Sequence, residues 1–233
     1  MGLFIGSCTG ETIVEVFDHY YVNITLAGDN THVKESISIK NVIDKPIVPG
    51  YAYSTLKGSS QKNILGIPIP GKKTHPVEIK NVEVTFNGNR LHDVLVTRTD
   101  ESTVIRYGLW YPVSPGESIT VDLEYDSADF IDRGILFSQG YYPIAANIPI
   151  NHAVINVDLQ DGSYVTYSNS KPDKSNDLAT WTMKSLGTDE WLLKYEYSKL
   201  PLPTSPIRWS LMFWLFMLLI VSIWSYRNWK PGR

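Results

Sequence analysis

The sequence predicts an all-β protein followed by one C-terminal transmembrane helix. Tyrosine, proline and glycine are abundant, with 14, 14 and 16 copies among 233 residues, which favours strands joined by turns. Several segments alternate apolar and polar residues with a period of two, as half-buried strands do. An uncharged apolar segment between Arg208 and Arg227 is long enough as a helix, at about 1.5 Å per residue, to cross a bilayer.

Charge and cysteine content narrow the classes of function. The net charge is −3, and Lys and Arg are scattered among Asp and Glu, so there is no basic field for nucleic acid. Cys8 is the only cysteine, which excludes an intramolecular disulfide and a Cys-based zinc site. The five histidines lack metal-ligand spacing, and no catalytic motif is present. We predict a non-enzymatic protein without a cofactor and without a nucleic-acid partner.

Residues 1–10 are predicted to be an N-terminal tail or the remnant of a signal peptide. The sequence Ile5-Gly6-Ser7-Cys8 resembles the end of a bacterial-type lipobox, in which small residues precede a lipidated cysteine. Cys8 is therefore a lipidation candidate, and an ordinary N-terminal thiol is the alternative. If the chain has no signal peptide, the alternative to an outward-facing body is a tail-anchored protein with its body in the cytoplasm.

The first β domain is predicted over residues 11–126 and begins with a hairpin. The even positions from Val14 to Leu26 are apolar apart from one Asp, and Val33–Val42 returns after a turn with its own apolar alternation. Asn23 lies on the polar face in the sequence Asn-Ile-Thr, which makes it a candidate for N-glycosylation.

Residues 45–76 are rich in Pro and Gly, which favours an irregular crossover between sheets with one strand at Tyr51–Leu56. A slip in the apolar phase at Lys80-Asn81 predicts a β-bulge. Asn87-Gly88 predicts a type I′ hairpin whose second strand is Leu91–Arg98. With further strands at Thr103–Trp110 and near residues 119–125, the strand count fits an immunoglobulin-like β-sandwich, although the Cys, Trp, Cys hallmark is absent.

A smaller second β domain is predicted over residues 127–199. Alternating segments such as Ala153–Leu159 and Trp191–Tyr197 indicate its strands. Acidic residues crowd the boundary between the two domains. Asp126, Asp129 and Asp132 could supply oxygen ligands to Ca²⁺ there, and the alternative is that they are solvated side chains.

A Pro-rich spacer (200–207), a transmembrane helix (208–226) and a short basic tail (227–233) follow. The spacer favours polyproline II, which would hold the β body close to the bilayer. Basic residues are more numerous after the helix than before it, which predicts a single-pass cell-membrane protein with its β body outside and its C-terminus in the cytoplasm. The predicted membrane anchor consists of Trp and Arg residues: Trp209, Trp214, Trp224, Trp229, Arg208 and Arg227.

The predicted function is that of an accessory or scaffold subunit of a membrane or envelope complex, whose partners are membrane lipid and another membrane or envelope protein. Tyr141 and Tyr142, in the weakly charged segment 137–150, and Trp110 and Tyr111 are candidate contact residues. A buried connection between sheets is the alternative for 137–150. A cell-surface module that binds glycan or protein is the first alternative function, and a membrane-anchored hydrolase with dispersed carboxylates is the second.

Overall fold

The structure is a computed structural model that describes residues 13–27, 30–64, 67–146, 148–159, 162–187 and 191–228. Strands account for most of the described chain before residue 200, and one helix follows them. In chain order the elements are β1 Glu15–Ala27, β2 Asn30–Asn41, β3 Gly50–Ile64, β4 Ile67–Pro76, β5 Ile79–Phe86, β6 Asn89–Arg90, β7 Val94–Arg98, β8 Thr103–Leu109, β9 Ser118–Ser127, β10 Ile131–Asp132, β11 Ser138–Ile144, β12 Ile150–Asp158, β13 Tyr164–Ser168, β14 Lys174–Ser175, β15 Leu178–Leu186, β16 Trp191–Ser198 and α1 Trp209–Asn228.

The described strands form three sheets. A large mixed sheet has the order β14-β15-β12-β1-β2-β9-β5-β6, and within it β1 runs parallel to β12. Two smaller sheets have the orders β10-β11-β16-β13 and β4-β3-β8-β7. The sequence prediction of a β body followed by a single C-terminal helix is confirmed.

The predicted first hairpin is present as β1 and β2, which pair antiparallel along their whole length. The apolar alternation of both strands determines which face is buried, because Val22 and Ile24 of β1 and Val33 and Ile37 of β2 all point into the interior. Strand β9 adds to β2 with the same alternation. These three strands form the centre of the large sheet.

The predicted division of the chain at residue 126 does not correspond to a division between sheets. Strand β12, from the predicted second domain, lies beside β1, from the predicted first domain. One continuous core includes buried residues from all three sheets, such as Ile155 of the large sheet and Ile105 and Leu193 of the two smaller sheets. The parallel pairing of β1 and β12 therefore joins the two predicted domains in a single β body.

The strand predicted at Tyr51–Leu56 is present as part of β3, but the prediction that the rest of residues 45–76 is an irregular crossover was wrong. Most of this region forms the long antiparallel strands β3 and β4, with Lys57 opposite Pro76 and Gly58 opposite His75. Strand β4 lies at the edge of its sheet. Edge strands tolerate proline, because a missing N–H on the outer side removes no ladder hydrogen bond.

The β-bulge predicted at Lys80-Asn81 and the type I′ turn predicted at Asn87-Gly88 are confirmed. The predicted pairing of the strand after that turn is wrong. The register between β5 and β9 shifts between Lys80 and Glu83, and Asn81 has φ 54°. Asn87 and Gly88 have φ 48° and 79°, as a type I′ turn requires. Pairing with β5 nevertheless stops at Arg90, and β7 pairs with β8 in a different sheet.

Helix α1 is long and apolar enough to cross a membrane, by length and composition, and none of its residues is buried. The Pro-rich spacer before it lies against β13 of the body. The Ser205 amide donates to the Thr166 carbonyl at 2.9 Å, and the Thr204 hydroxyl donates to the Val165 carbonyl at 2.8 Å. The spacer is consequently a docked segment.

Candidate functional site

The sheet β4-β3-β8-β7 has one face in the core and one face in solvent. Alternation along β3 and β8 buries Leu56, Ile105 and Tyr107 and leaves Tyr51, Tyr53 and Arg106 on the outer side. The outward residues of neighbouring strands are adjacent, because Tyr53 pairs with Arg106 and Arg106 pairs with Leu95. We call the outer group formed by Tyr51, Tyr53, Leu95, Arg106 and Trp110 the aromatic face.

Three side chains of the aromatic face, those of Tyr51, Arg106 and Trp110, form a chain of contacts. The Arg106 guanidinium carbon lies 4.4 Å from the centroid of the Tyr51 ring, a cation–π distance. The Tyr51 and Trp110 rings are 5.0 Å apart and nearly perpendicular, at 78°. Arg106 Nε is buried without a hydrogen-bond partner in the described part of the chain. The face therefore combines exposed rings with one unsatisfied donor.

Gly108 allows Trp110 to lie back across β8. A Cβ atom at this position would come within 2.6 Å of Trp110 Nε1 and 2.7 Å of Asp93 Oδ2. Both distances are shorter than real Cβ contacts, so a larger residue would displace the indole. Trp110 remains 57% exposed in this position. Tyr111, also predicted as a contact residue, stacks instead on Phe86 at 4.7 Å and is half exposed.

A buried carboxyl group lies where the sheets meet. Glu35 of β2 is fully buried and accepts hydrogen bonds from three tyrosine hydroxyls. Tyr20 and Tyr142 donate at 2.7 Å, and Tyr125 donates at 2.8 Å. Tyr20 and Tyr125 belong to the large sheet, whereas Tyr142 belongs to β11 of a smaller sheet. Glu35 thus connects two sheets through polar contacts inside the core.

Burial dominates the electrostatics of this cluster. Desolvation raises the pKa of Glu35 above its ordinary value of 4.5, and the hydrogen bonds from the three tyrosines offset part of that rise. Burial and, secondarily, the Glu35 carboxyl raise the pKa values of Tyr20, Tyr125 and Tyr142 well above 10.0. Burial therefore shifts both the acid and the phenols toward their neutral forms.

The predicted contact residues Tyr141 and Tyr142 are not on an open surface loop. Tyr142 is fully buried against Glu35, and the Tyr141 hydroxyl donates to the backbone oxygen of Asp129. Both belong to β11, which pairs with β10 and β16. For Tyr141 and Tyr142, the alternative prediction of a buried connection between sheets fits the structure better than the prediction of an exposed contact surface.

Asp126 and Asp129, two of the three candidate calcium ligands, have different partners. Asp126 accepts from Asn81 at 2.6 Å and pairs with His32 at 2.9 Å, and these hydrogen bonds lower its pKa. Asp129 accepts from the Glu78 amide. Within the described ranges, no group of three His, Cys, Asp or Glu side chains is placed to hold a metal ion. The structure does not bring Asp126, Asp129 and Asp132 together as a calcium site.

Asn23, the glycosylation candidate, is exposed on the outer side of the large sheet, and its side-chain oxygen accepts from Asn156 at 3.0 Å. Close to it, His19, Tyr21 and His152 pack ring against ring, with the two histidine centroids 5.8 Å apart. The lipidation candidate Cys8 and the anchor residue Trp229 lie outside the described residues.

A second buried carboxyl group joins the β body to α1. Glu196 of β16 is fully buried and accepts from the Thr166 hydroxyl at 3.1 Å. It also accepts from the hydroxyl of Ser210 and from the Ser210 backbone amide, the latter at 3.3 Å. The first amides of a helix lack intrahelical partners, so a carboxyl group here caps α1. The capping group comes from the body, which ties the start of the helix to the sheet.

The predicted anchor residues at the start of α1 also contact the body. Arg208 donates to Gln139 at 3.3 Å and lies over the Tyr167 ring at 5.3 Å. The Trp209 indole donates to the Pro203 carbonyl at 2.9 Å. Trp214 faces a groove beside the body, whereas Trp224 is exposed and Arg227 lies in the last turn of the helix.

Sequence reasoning missed Glu35, Glu196 and Arg106 as important residues. Glu35 occupies the same inward phase as Val33 and Ile37, so the alternation of β2 contained the signal of a buried acid. Glu196 lies in the phase opposite to the apolar stripe of β16, and on that side of the strand it contacts Thr166 of β13 and Ser210 of α1. The residue pattern of β16 therefore does not predict that Glu196 is buried.

One sequence relative covers more than half of the chain. The uncharacterized protein MJ1395 of Methanocaldococcus jannaschii is 36% identical over 132 residues, which make up 56% of this chain and 91% of the relative. The chain belongs to the family of MJ1395. No protein-family model matches the chain.

Solved structures resemble the chain weakly. A proposed nutrient-binding protein from Legionella pneumophila is 9% identical, with a TM-score of 0.44, over 80% of this chain and 67% of that protein. An M1 zinc metallopeptidase from Deinococcus radiodurans is 12% identical, with a TM-score of 0.38, over 80% and 42%. Yeast LTA4 hydrolase in complex with bestatin is 7% identical, with a TM-score of 0.42, over 78% and 28%. No function follows from these similarities.

Proposed function

We propose that this protein is a non-enzymatic accessory or scaffold subunit of a membrane or envelope complex and that it binds a protein partner through the aromatic face. The observation that carries the proposal is the exposed group of Tyr51, Tyr53 and Trp110, with the Arg106 guanidinium over the Tyr51 ring. Tyrosine, tryptophan and arginine are the residue types that dominate the binding energy of protein interfaces.

The ring geometry favours a protein partner over a flat sugar ligand. Sugar rings stack on open aromatic faces, and a platform for several sugars needs rings that are roughly coplanar. Tyr51 and Trp110 are at 78° to each other, and Tyr111 is stacked on Phe86. The alternative of a glycan-binding module therefore has less support than a protein contact.

The proposed placement is a single-pass cell-membrane protein with the β body outside and the C-terminus in the cytoplasm. Arg227 lies in the last turn of α1 and Lys230 and Arg233 follow it, whereas Lys199 and Arg208 precede the helix. Cytoplasmic flanks carry the excess of positive charge. The contacts of Glu196 with Ser210 support a scaffold role, because they fix the body relative to the helix. A fixed body would present the aromatic face at a constant height above the bilayer.

A hydrolase with dispersed carboxylates has less support. Such an enzyme needs two carboxyl groups that share a cleft with the substrate. Glu35 has a raised pKa, but its two oxygens accept hydrogen bonds from three tyrosines inside the core. A substrate would have to displace those hydroxyl groups from a closed interior.

The test is a purification of the tagged full-length protein from its native membrane in mild detergent, followed by mass measurement of whatever stays bound. The chain itself has a mass of 26.4 kDa. Two variants, Tyr53→Ala and Trp110→Ala, remove rings from the aromatic face. Tyr164→Ala is the matched control, because Tyr164 is 37% exposed on β13 and lies outside the aromatic face.

We expect the wild type and Tyr164→Ala to retain a discrete larger assembly, and each aromatic-face variant to lose it. Truncation of an interface anchor typically weakens binding by about 2 kcal/mol or more, which is roughly thirtyfold. A lone chain in all four preparations would overturn the proposal and favour the surface-binding module, to be tested next on glycans. Retention of the assembly in both aromatic-face variants would move the contact elsewhere on the protein.

A further inference from the structure

The loop between β10 and β11 has an apolar tip. This loop comprises residues 133–137, and within it Ile135 is fully exposed and Leu136 is 43% exposed. The loop is held in place by a hydrogen bond from Ser198 to the Leu136 carbonyl at 2.7 Å. It is also tightly folded, because the Phe137 carbonyl lies so close to Gly134 that a Cβ atom there would collide with it. A fixed loop that holds isoleucine away from the body is unfavourable in water.

The apolar loop lies beside the first turns of α1. Ile135, Leu136 and Phe137 line a groove of about 420 Å³ together with Ser210, Phe213 and Trp214 of the helix. Asp132, Arg133 and Gln139 add charged and polar groups to the lining on the side of the body. From Ser210 to Trp214 the helix advances roughly 6 Å, at about 1.5 Å per residue. The loop therefore lies at the depth of the first turn of the helix, where a spanning segment passes from headgroups into hydrocarbon.

We propose that a hydrocarbon chain of a membrane lipid occupies this groove and that Ile135 inserts into the same layer of the bilayer. The inference rests on the membrane-spanning role of α1 in the proposed function, and it is independent of the aromatic face. Phe213 and Trp214 belong to the span, so the side of the groove that they form faces lipid rather than water. Exposed apolar side chains of the loop and of the helix therefore lie on the same groove.

The consequence is a second attachment of the β body to the membrane. The helix provides one attachment, and the loop beside its first turns provides another. With two attachments the body cannot tilt freely about the start of α1. The groove would thus fix the orientation in which the body faces a partner in the same membrane.

The test uses the full-length protein reconstituted into phosphatidylcholine vesicles, with or without bromine on the acyl chains. In a Cys8→Ser background, a single cysteine labelled with an environment-sensitive fluorophore replaces Ile135, Leu178 or Leu215. Leu178 of β15 is a matched control on the body, since it is 48% exposed and does not line the groove. Leu215, 58% exposed on α1, is the reference for insertion.

We expect the label at 135 to emit at shorter wavelength than the label at 178 and to be quenched by brominated lipid, as the label at 215 is. Equal emission at 135 and 178, with quenching at 215, would overturn the insertion of the loop and leave the membrane span intact. A shorter wavelength at 135 without quenching would mean that protein covers the groove, which also overturns the proposal. Absence of quenching at 215 would instead contradict the span itself.

Discussion

Glu35 costs free energy in the folded protein unless its hydroxyl partners are in place. A carboxyl group in an apolar interior loses its hydration, and an unsatisfied one would destabilise the fold by several kcal/mol, roughly. Three tyrosines supply three hydrogen bonds to two oxygens. Because Tyr142 comes from a different sheet than Tyr20 and Tyr125, the polar cluster also fixes how the sheets are aligned. Apolar contacts alone specify such alignment less strictly.

The raised pKa of Glu35 predicts that this residue lowers stability as the pH rises. The folded state binds the proton more tightly than the unfolded state, whose pKa is near 4.5. The full contribution to stability is therefore present below the unfolded value and is lost as the pH rises through the folded value. Each unit by which the pKa is raised corresponds to about 1.4 kcal/mol. We expect the melting temperature of the wild type in detergent to fall in this window above pH 4.5.

Glu35→Gln should abolish that fall, because an amide cannot ionise and still offers an oxygen to the tyrosines. The measurement is the melting temperature against pH for the wild type and the variant, followed by near-ultraviolet circular dichroism. Glu117→Gln is the control, since Glu117 is an exposed acid before β9. If Glu35→Gln keeps the pH dependence of the wild type, the raised pKa is not the cause.

Among the elements, strands with one buried and one solvated face could be predicted from the sequence. The alternation of β1, β2, β9 and β12 reports which side of each strand is buried, and the Asn87-Gly88 turn reports its own φ angles. The hairpin of β3 and β4 escaped prediction because β4 carries proline, which an edge strand tolerates. The partner of β7 could not be predicted, because the residue pattern of β7 does not indicate which strand pairs with it.

The candidate site was predictable in part for the same reason. Trp110 was recognisable as an exposed ring at the end of a strand, whereas its neighbours Tyr51 and Arg106 depend on the register between β3 and β8. The weakly charged segment around Tyr142 predicts a contact residue, whereas the structure buries this ring and bonds its hydroxyl to Glu35. Glu35 is far away in the sequence, so the local pattern contains no sign of that contact.

At the junction of helix and body, the hydrogen bonds from Ser210 to Glu196 predict a fixed angle between α1 and the sheet. Ser210→Ala removes one hydrogen bond to a buried carboxyl group, which should cost about 1–3 kcal/mol. We expect broader distance distributions between spin labels at Cys-substituted Leu178 and Leu219, measured by pulsed electron paramagnetic resonance in the Cys8→Ser background.

Ser222→Ala is the matched control for this experiment. Ser222 donates to the Leu218 carbonyl at 2.8 Å within the helix and does not contact the body. Its replacement should leave the distance distribution unchanged. Distributions that are equally broad in the wild type, Ser210→Ala and Ser222→Ala would show that the cap does not fix the helix.

For the whole molecule, the parallel pairing of β1 with β12 has a consequence for cooperativity. The chain forms β1, β2, β5, β6 and β9 of the large sheet and the whole sheet β4-β3-β8-β7 before β12 pairs with β1. The core residues of the three sheets are contiguous, so the loss of one sheet exposes the buried face of the others. The β body should therefore unfold in one transition, in contrast to two domains divided near residue 126.

Two core variants test this cooperativity, Ile105→Ala in β8 and Leu193→Ala in β16, both at fully buried positions. Each creates a cavity that costs about 2–5 kcal/mol. Because the two residues lie in different small sheets and on different sides of residue 126, one cooperative unit requires that both variants shift the same single melting transition of the full-length protein. If the melt instead shows two phases and each variant shifts only one of them, the two parts of the chain fold independently and the shared sheet does not couple them.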